Sequence, residues 1–411
     1  MLNIHYNNMK NKTKILCLDI EGGHGGSSKS LFYLLQKINK KKFNIKVICR
    51  RNSWLKNEYR KNNIECEIDK SIPKYEILTK FSRSFFYSIL FFFYLWPKSK
   101  NFREKLIKDI KKNNYDILHC NHINLFFLAI WIKNKIPNLK ITFHIRTIFF
   151  PNKYGNWHIF FRYAVKSLSK VCDYFIFISE NEKKNIEQIL KKKVNGQVIY
   201  NPVIQQKNNT NIVIQKKSKL KIVSLSNHDL IRGADRIIEV ATFIPVNIRK
   251  KFLFLMIGDY LAKPSIYERV TGAVNIKKNL IEYAKINKVN NMFKFYGYLK
   301  NPNKIIKKSD IMIKLARISN PWGRDVLEAM SFGKPSISCG TYKKFVQTDV
   351  TGFLQKEYNP KKIAKWLIKI LNNDKKYEKM SKNCIKISNN FCSQKIQASK
   401  AETIWMNIFF T

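Results

Sequence analysis

The sequence predicts an α/β protein of two domains, each a doubly wound, Rossmann-like parallel sheet. Three observations carry that expectation. The chain has 411 residues, more than one ordinary core holds and suited to two domains of about 200 residues each. Short β-branched and aromatic runs alternate with longer helical patterns, which implies parallel strands joined by right-handed crossovers. The alternation stops over a polar, Asn- and Lys-rich stretch, NPVIQQKNNTNIVIQKKS (201–218), and then restarts. That interruption reads as a linker.

In the first half, KILCLDI (14–20), NIKVICR (44–50), DILHC (116–120), KITFHI (140–145) and DYFIFIS (173–179) have the composition of strands. A glycine loop and a helix from about Ser27 to Ile38 follow the first of them, and a long helical stretch covers about 80–112. In the second half the strands are LKIVSLS (220–226), KFLFLMIG (251–258), MFKFYGYL (292–299), DIMIKLA (310–316) and KPSISCG (334–340). Helices are expected near 234–243, 276–287, 301–308, 324–332, 360–372, 375–388 and 394–410. The resulting division is 1–205 for the first domain, 206–218 for the linker and 219–393 for the second domain. The last helix, 394–411, has an apolar face (Ala398, Ile404, Trp405, Ile408) with which to pack back on the first. No internal repeat is visible, so the halves share architecture only.

Composition narrows the function classes. An apolar fraction of 45% is that of a folded protein. Against 28 acidic residues stand 77 basic ones, a formal charge of +49. Lys, Asn and Ile are abundant everywhere, as A/T-rich coding produces, yet the surface is positive whatever the cause. An anionic membrane surface is therefore an expected partner. Nucleic acid is not, since no recognition motif accompanies the charge. The eight cysteines are scattered without a C-x-x-C pair and read as buried thiols. The N-terminal MLNIHYNNMKNKTK is no signal peptide. The run FFYSILFFFYLW (85–96) would rise only about 18 Å as a helix, short of the roughly 30 Å hydrocarbon core. It reads either as a buried helix or as one that enters a membrane surface, beside Lys80, Arg83 and Lys98. The expected location is cytoplasmic, peripheral on the inner face of the membrane.

Ligands of open α/β sheets bind past the carboxyl ends of the strands. The segment SNPWGRDVLEAMSFGKPSISCGTYKKFVQTDVTGFL (319–354) follows one. A helix beginning near Gly323 offers free N–H groups and a positive dipole end, a seat for a diphosphate. Glu328 lies within that helix and can accept hydrogen bonds from ribose hydroxyls. Taken by itself, Glu328 could equally be the exposed residue of an ordinary amphipathic helix.

At these residues the chain resembles the retaining glycosyltransferases of the GT-B fold, family 4 (glycosyl transferases group 1). The family typically reads E-x-x-x-G-x-x-x-E-A-M-A-x-G-x-P-V, and Gly323, Glu328-Ala329-Met330, Gly333 and Pro335 fit it. Thr351-Gly352-Phe353-Leu354 matches the family's T-G-F-L turn. The resemblance implies that Glu328 holds the donor ribose. The first acidic position falls on Asn320, which keeps hydrogen bonding but loses the charge. LKIVSLSNHDLIRGADRIIEVA (220–241) resembles the strand–loop–helix that ends in K-G-x-D, with Arg232 at the position of the diphosphate-binding Lys. A guanidinium suits paired phosphate oxygens. The family's usual earlier Arg is absent, with Leu225 and Ser226 in its place. LFLMIGD (253–259) and MFKFYGYL (292–299) resemble two further family strands. In the first half, EGGHGGSSKS (21–30) resembles the G-G loop through Gly25 and Gly26, a donor-binding feature. KITFHIRT (140–147) resembles the strand ending in T-x-H, placing His144 near donor sugar and acceptor.

The resemblance implies a GT-B protein whose two domains face a central cleft. It would transfer a sugar from a nucleotide-diphosphate sugar to a glycan or lipid-linked acceptor, with retention. The pathway would be surface polysaccharide or lipopolysaccharide biosynthesis. His144 and Asn320 would contact the sugar, and Arg232, Gly323, Glu328, Gly25 and Gly26 the donor. No metal and no cofactor beyond the co-substrate are expected. Four alternatives stand beside it. Asn320 favours a weakly active or inactive nucleotide-sugar-binding protein. Gly23 to Ser30 is one residue from a P-loop, with Ser28 where glycine should precede Lys29. His119, Cys120 and His122 could be offered as metal ligands. The charge alone would suggest a nucleic-acid binder.

Overall fold

The computed structural model describes residues 12–23, 25–75, 85–149, 157–205, 219–225, 230–258, 279–299, 301–317 and 322–410, with backbone alone at 85 and 157–162. The expected linker, 206–218, lies outside them. The chain divides into two compact units, Met1–Pro202 with Gln394–Thr411, and Val203–Ser393.

The first unit runs β1 (Thr13–Asp19), α1 (Gly26–Leu35), β2 (Phe43–Cys49), α2 (Leu55–Lys61) and β3 (Glu65–Ile68). Then come α3 (Phe85–Leu90), a π turn (Phe91–Leu95), α4 (Trp96–Lys98), α5 (Lys100–Asn113), β4 (Ile117–Cys120), α6 (Phe126–Lys135) and β5 (Lys140–Ile145). α7 (Trp157–Val171), β6 (Tyr174–Phe177), α8 (Glu180–Leu190) and β7 (Gly196–Val198) complete it. The strands form one sheet in the order β3-β2-β1-β4-β5-β6-β7, and every pairing is parallel. Both faces are covered, which is why the strands are almost continuously apolar. Leu16, Leu18, Leu118 and Phe143 join one core cluster, and Ile15, Cys17, Ile117 and Ile176 another.

The second unit runs β8 (Leu220–Leu225), α9 (Ala234–Thr242), β9 (Phe252–Ile257), α10 (Leu280–Ile286), β10 (Phe293–Gly297), α11 (Asn303–Lys308) and β11 (Ile311–Lys314). α12 (Arg324–Ser331), β12 (Ser336–Cys339), β13 (Gly352–Gln355), α13 (Pro360–Leu371) and α14 (Asp374–Cys392) follow. Its sheet has the order β10-β9-β8-β11-β12-β13, again parallel throughout. The last helix, α15 (Gln394–Phe410), belongs to the first unit. Its Trp405 is fully buried 5.9 Å from the Phe43 ring, and Gln397 Oε1 accepts the Tyr200 N–H at 2.9 Å.

Three strands depart from the sequence expectation. β3 and β7 are short edge-region segments, ECEI and GQV, without an apolar run. β13 is the T-G-F-L segment expected as a turn. Gly352 carries a φ of +153°, and a Cβ there would stand 1.9 Å from Ser336 O, so only glycine lets this strand join β12. The helical stretch expected over 80–112 is broken rather than continuous. Pro97 has no N–H for the preceding turn, the chain widens into the π turn just before it, and α5 restarts after Ser99.

Candidate active site

In each sheet the strand order reverses at one point, between β8 and β11 in the second unit and between β1 and β4 in the first. Such switch points open a crevice past the carboxyl ends of the strands. In the second unit, β8 leads to a short 3-10 turn, Leu230–Arg232, and Gly233 starts α9. Gly233 has a φ of +73°, and a Cβ there would lie 1.9 Å from Leu315 O. The turn is therefore pressed against the end of β11. Arg317 holds it: its N–H donates to Ile231 O at 2.9 Å and its guanidinium to Leu230 O. The same guanidinium forks onto buried Asp235, at 2.7 and 2.5 Å, and that carboxylate pushes the Arg317 pKa up. Arg232 is exposed at the end of this turn.

β11 ends at Lys314, whose amine donates to Asp325 Oδ1 at 3.0 Å and Trp322 O at 3.4 Å. These bonds fix the start of α12. The leading N–H groups of a helix have no partner within it, and Gly323 has no side chain to cap them. Glu328, 6% exposed, is paired with Arg324 at 2.8 Å one turn before it. It is thus a buried, oriented carboxylate rather than an exposed one. Arg232, Gly323 and Glu328 all stand on segments that follow the adjacent strands β8 and β11. Asn320 lies outside the described residues.

In the first unit, Asp19 closes β1. It is fully buried, and desolvation raises its pKa. Asn121, just past β4, donates to it at 3.2 Å and accepts Arg146 at 2.7 and 3.1 Å. Arg146 also donates to Asn201 Oδ1 at 2.9 Å and to His144 Nδ1 at 3.1 Å. An arginine has no acceptor, so the His144 proton sits on Nε2. Burial, and then the Arg146 charge, drive the His144 pKa well below its usual range. The ring is 2% exposed, and Nε2 has no hydrogen-bond partner among the described residues. His144 is thus a neutral donor, neither acid nor base at ordinary pH.

The loop after β1 carries Gly25 and Gly26 to the start of α1. Gly25 caps α1 and Gly26 is its exposed first residue. A Cβ on Gly25 would stand 1.7 Å from Glu21 Oε2, and Ser27 Oγ donates to that oxygen at 2.5 Å. A carboxylate therefore already lies at the start of α1, where a phosphate would have to displace it. That disfavours the P-loop alternative. Of the suggested metal ligands, His119 is bound to Thr142 Oγ1 at 2.9 Å and His122 Nδ1 accepts the Asn124 N–H at 3.2 Å. No group of three or more such residues is placed to hold a metal among the described residues.

Arg317, Lys314, Arg324 and Arg146 belong to the candidate site by position and contact, and sequence reasoning does not single them out. Each lies at or within a few residues of a strand's carboxyl end or a helix start, which was the available signal. Among so many cations, position alone does not distinguish them.

The comparisons with known proteins speak to the family and the fold. Residues 24–206 match the profile described as Glycosyltransferase Family 4, and residues 204–387 match Glycosyl transferases group 1. No curated protein matches the sequence. Among solved structures, HepE of Anabaena in complex with UDP superposes with a TM-score of 0.71 at 17% identity, over 95% of this chain and 99% of that one. A glycosyltransferase of Rickettsia africae superposes with a TM-score of 0.68 at 18% identity, over 97% and 99%. The sucrose-phosphate synthase of Thermosynechococcus elongatus superposes with a TM-score of 0.71 at 14% identity, over 97% and 99%. With two family profiles laid end to end over sheets of this order, the chain belongs to glycosyltransferase family 4 and is a glycosyltransferase of the GT-B fold.

Proposed function

We propose that the protein is a retaining glycosyltransferase that moves a sugar from a nucleotide-diphosphate sugar to a glycan or lipid-linked acceptor of surface polysaccharide or lipopolysaccharide biosynthesis. One observation carries the donor half of this reading. At the β8/β11 switch point, an exposed Arg232, the start of α12 with no side-chain cap from Gly323, and the buried Glu328 follow two adjacent strands. Arg232 and the leading N–H groups of α12 hold the diphosphate, and Glu328 accepts the ribose hydroxyls while Arg324 orients it. Negative charge develops on the leaving diphosphate as the glycosidic bond breaks. Positive groups fixed beforehand stabilise it without reorganising. His144 Nε2–H donates to a substrate hydroxyl, Asn320 contacts the sugar, and Gly25 and Gly26 let the donor's sugar approach the β1 loop once the Glu21 carboxylate swings off Gly25. No metal is needed where arginine and helix N–H groups supply the positive charge. The complexes of HepE with UDP and UDP-glucose make a UDP-sugar the first donor to try.

UDP is expected to raise the melting temperature in proportion to the logarithm of its concentration once above Kd. Glu328→Gln is expected to weaken UDP binding about tenfold, the size of a charge-assisted hydrogen bond. If none of UDP, GDP, ADP, CDP or TDP shifts the melting temperature, the donor reading fails. A second reading rests on Asn320, which stands where the family has Glu: a protein that binds the donor with little or no turnover. Mass spectrometry with a panel of nucleotide sugars separates the two, because binding without transfer or hydrolysis supports the second.

The acceptor half rests on α3 and the π turn. No helix of the described residues is long and apolar enough to cross a membrane. Yet Phe86 and Phe93 are 77% and 80% exposed, and Ile89, Leu90, Phe92 and Tyr94 are also exposed, while Tyr87 and Phe91 anchor the segment in the core. Exposed aromatics beside Lys98 and Lys100 suit the headgroup boundary of an anionic membrane. The protein would then sit at the cytoplasmic side of that membrane. Phe86→Ser with Phe93→Ser is expected to lower binding to vesicles of phosphatidylcholine with phosphatidylglycerol about tenfold or more, with the melting temperature unchanged. Undiminished binding removes the membrane from the reading.

A further inference from the structure

The first unit has a second feature on the same edge as its switch point. Arg50, Arg51, Asn52 and Lys70 line an open depression of about 450 Å³. They stand just past the carboxyl ends of β2 and β3, where sheets of this kind present their binding loops. The backbone beneath them is held in place. Arg50 N–H donates to Asp19 O at 2.8 Å, and Asp69 N–H to Cys49 O at 2.9 Å. Gly22, at a φ of +56°, lies so close that a Cβ would be 2.0 Å from Arg51 O. Ser53 Oγ donates to Gly22 O. The β1 and β2 loops therefore form one fixed floor.

The depression is also connected to the aromatic helix. Arg50 Nε donates to Ile72 O at 3.0 Å. Three residues on, a reach of at most about 11 Å, the Tyr75 ring packs on Tyr87 and Phe91 at 5.2 and 4.8 Å.

The charges select the ligand. Beside the three cations the nearest acid in sequence is Asp69, whose Oδ1 accepts the Ser71 N–H at 2.9 Å and its hydroxyl. The acids of β3 are already engaged, Glu65 by Lys46 and Glu67 by Lys46 and Lys105. The exposed Arg51 and Lys70 suit a phosphate ester or a diphosphate, which carries about two negative charges, better than a single carboxylate. Arginine forks take phosphate oxygens in pairs.

We propose that this depression is a phosphate site: it receives the phosphate or diphosphate of the acceptor, while the neighbouring aromatic helix engages the acceptor's lipid. The proposal rests on the acceptor reading above and names its substrate class, a phosphate-linked lipid carrier. The donor's own diphosphate is bound by different residues, in the second unit.

Inorganic pyrophosphate is the probe, titrated calorimetrically into the full chain with and without saturating UDP. One pyrophosphate site is expected to remain when UDP is present. Arg51→Ala with Lys70→Ala, both exposed positions, weakens that site about tenfold or more and leaves UDP binding and the melting temperature unchanged. Lys111→Ala with Lys112→Ala removes the same charge from exposed positions of α5 and changes the site less than about twofold. Equal weakening by the two pairs shows general electrostatic attraction and overturns the proposal, as does no weakening by the first. Sedimentation with phosphatidylcholine vesicles carrying phosphatidic acid identifies the source of the phosphate. Loss of vesicle binding in the first pair supports a lipid-borne phosphate. If vesicle binding persists while pyrophosphate binding is lost, the phosphate site stands and its ligand is soluble. A chain that binds pyrophosphate in the depression but no UDP refutes the donor reading alone.

Discussion

Replacing Gly233 with alanine is expected to destabilise the second unit by about 3 kcal/mol or more and to abolish measurable UDP binding. Two costs add. A side chain at a φ of +73° is strained by about 1–2 kcal/mol. The new Cβ would also stand 1.9 Å from Leu315 O, a backbone atom at the end of β11 that cannot swing aside. The turn bearing Arg232 must then lift from β11, which opens the Arg317–Asp235 fork. Breaking that pair leaves Asp235, fully buried, without its cation. For a unit of this size the melting temperature is expected to fall by about 10 °C. Gly323→Ala is the control. Its φ of 178° suits any residue, and the nearest obstacles are the ends of the Lys314 and Asp325 side chains. A smaller loss of stability is expected there. If Gly233→Ala melts like the parent protein, the two loops are not packed as described.

The second large effect is loss of stability in mild acid. Both His119 and His144 are buried, and burial is the main cause that lowers their pKa values, His119 from 6.5 to about 3. Unfolded, each imidazole takes up a proton near pH 6.5; folded, neither does until far lower. Between those points the unfolded chain binds more protons, so stability falls as the pH falls. The slope approaches about 1.4 kcal/mol per pH unit for each imidazole below pH 6.5, which sums to about 4 kcal/mol for the pair between pH 7.5 and 5. Asp19, whose pKa is raised by burial, acts in the opposite sense and trims the loss. Carboxylates whose pKa is depressed in the folded state, such as Glu67 and Asp349, titrate below this window. Urea midpoints at pH 7.5 and 5 test this, and His119→Gln should shrink the difference. Equal midpoints at the two pH values would contradict the burial of both rings.

The same two histidines show how legible the site was. The strand run KITFHI placed His144 at the end of β5, and the alternation of the strand put His119 and His144 on one face. Pattern could not reveal that α15, far on in sequence, lays Trp405 against His119 at 5.8 Å, with His119 in turn packed on His144 at 5.8 Å. Nor could it reveal that Arg146 sets the tautomer. Glu328 followed from its spacing, but its pairing with Arg324 and near-complete burial did not. Gly25 and Gly26 were recognisable as a loop before a helix, and the carboxylate of Glu21 lying against them was not.

The residues alone determined the strand–helix alternation, hence two parallel sheets, and the family motifs that placed Arg232, Gly323 and Glu328 after strands. Those are local properties: the period of apolar residues and the preferences of glycine and proline act over a few neighbours. Strand order, the edge strands β3 and β7, the fork from Arg317 to Asp235 and the cationic depression at Arg50, Arg51 and Lys70 arise from tertiary contact. Their partners are brought together by the crossovers rather than by adjacency, and a chain with 77 basic residues offers too many equivalent cations for sequence to choose among them. Only packing selects which few converge.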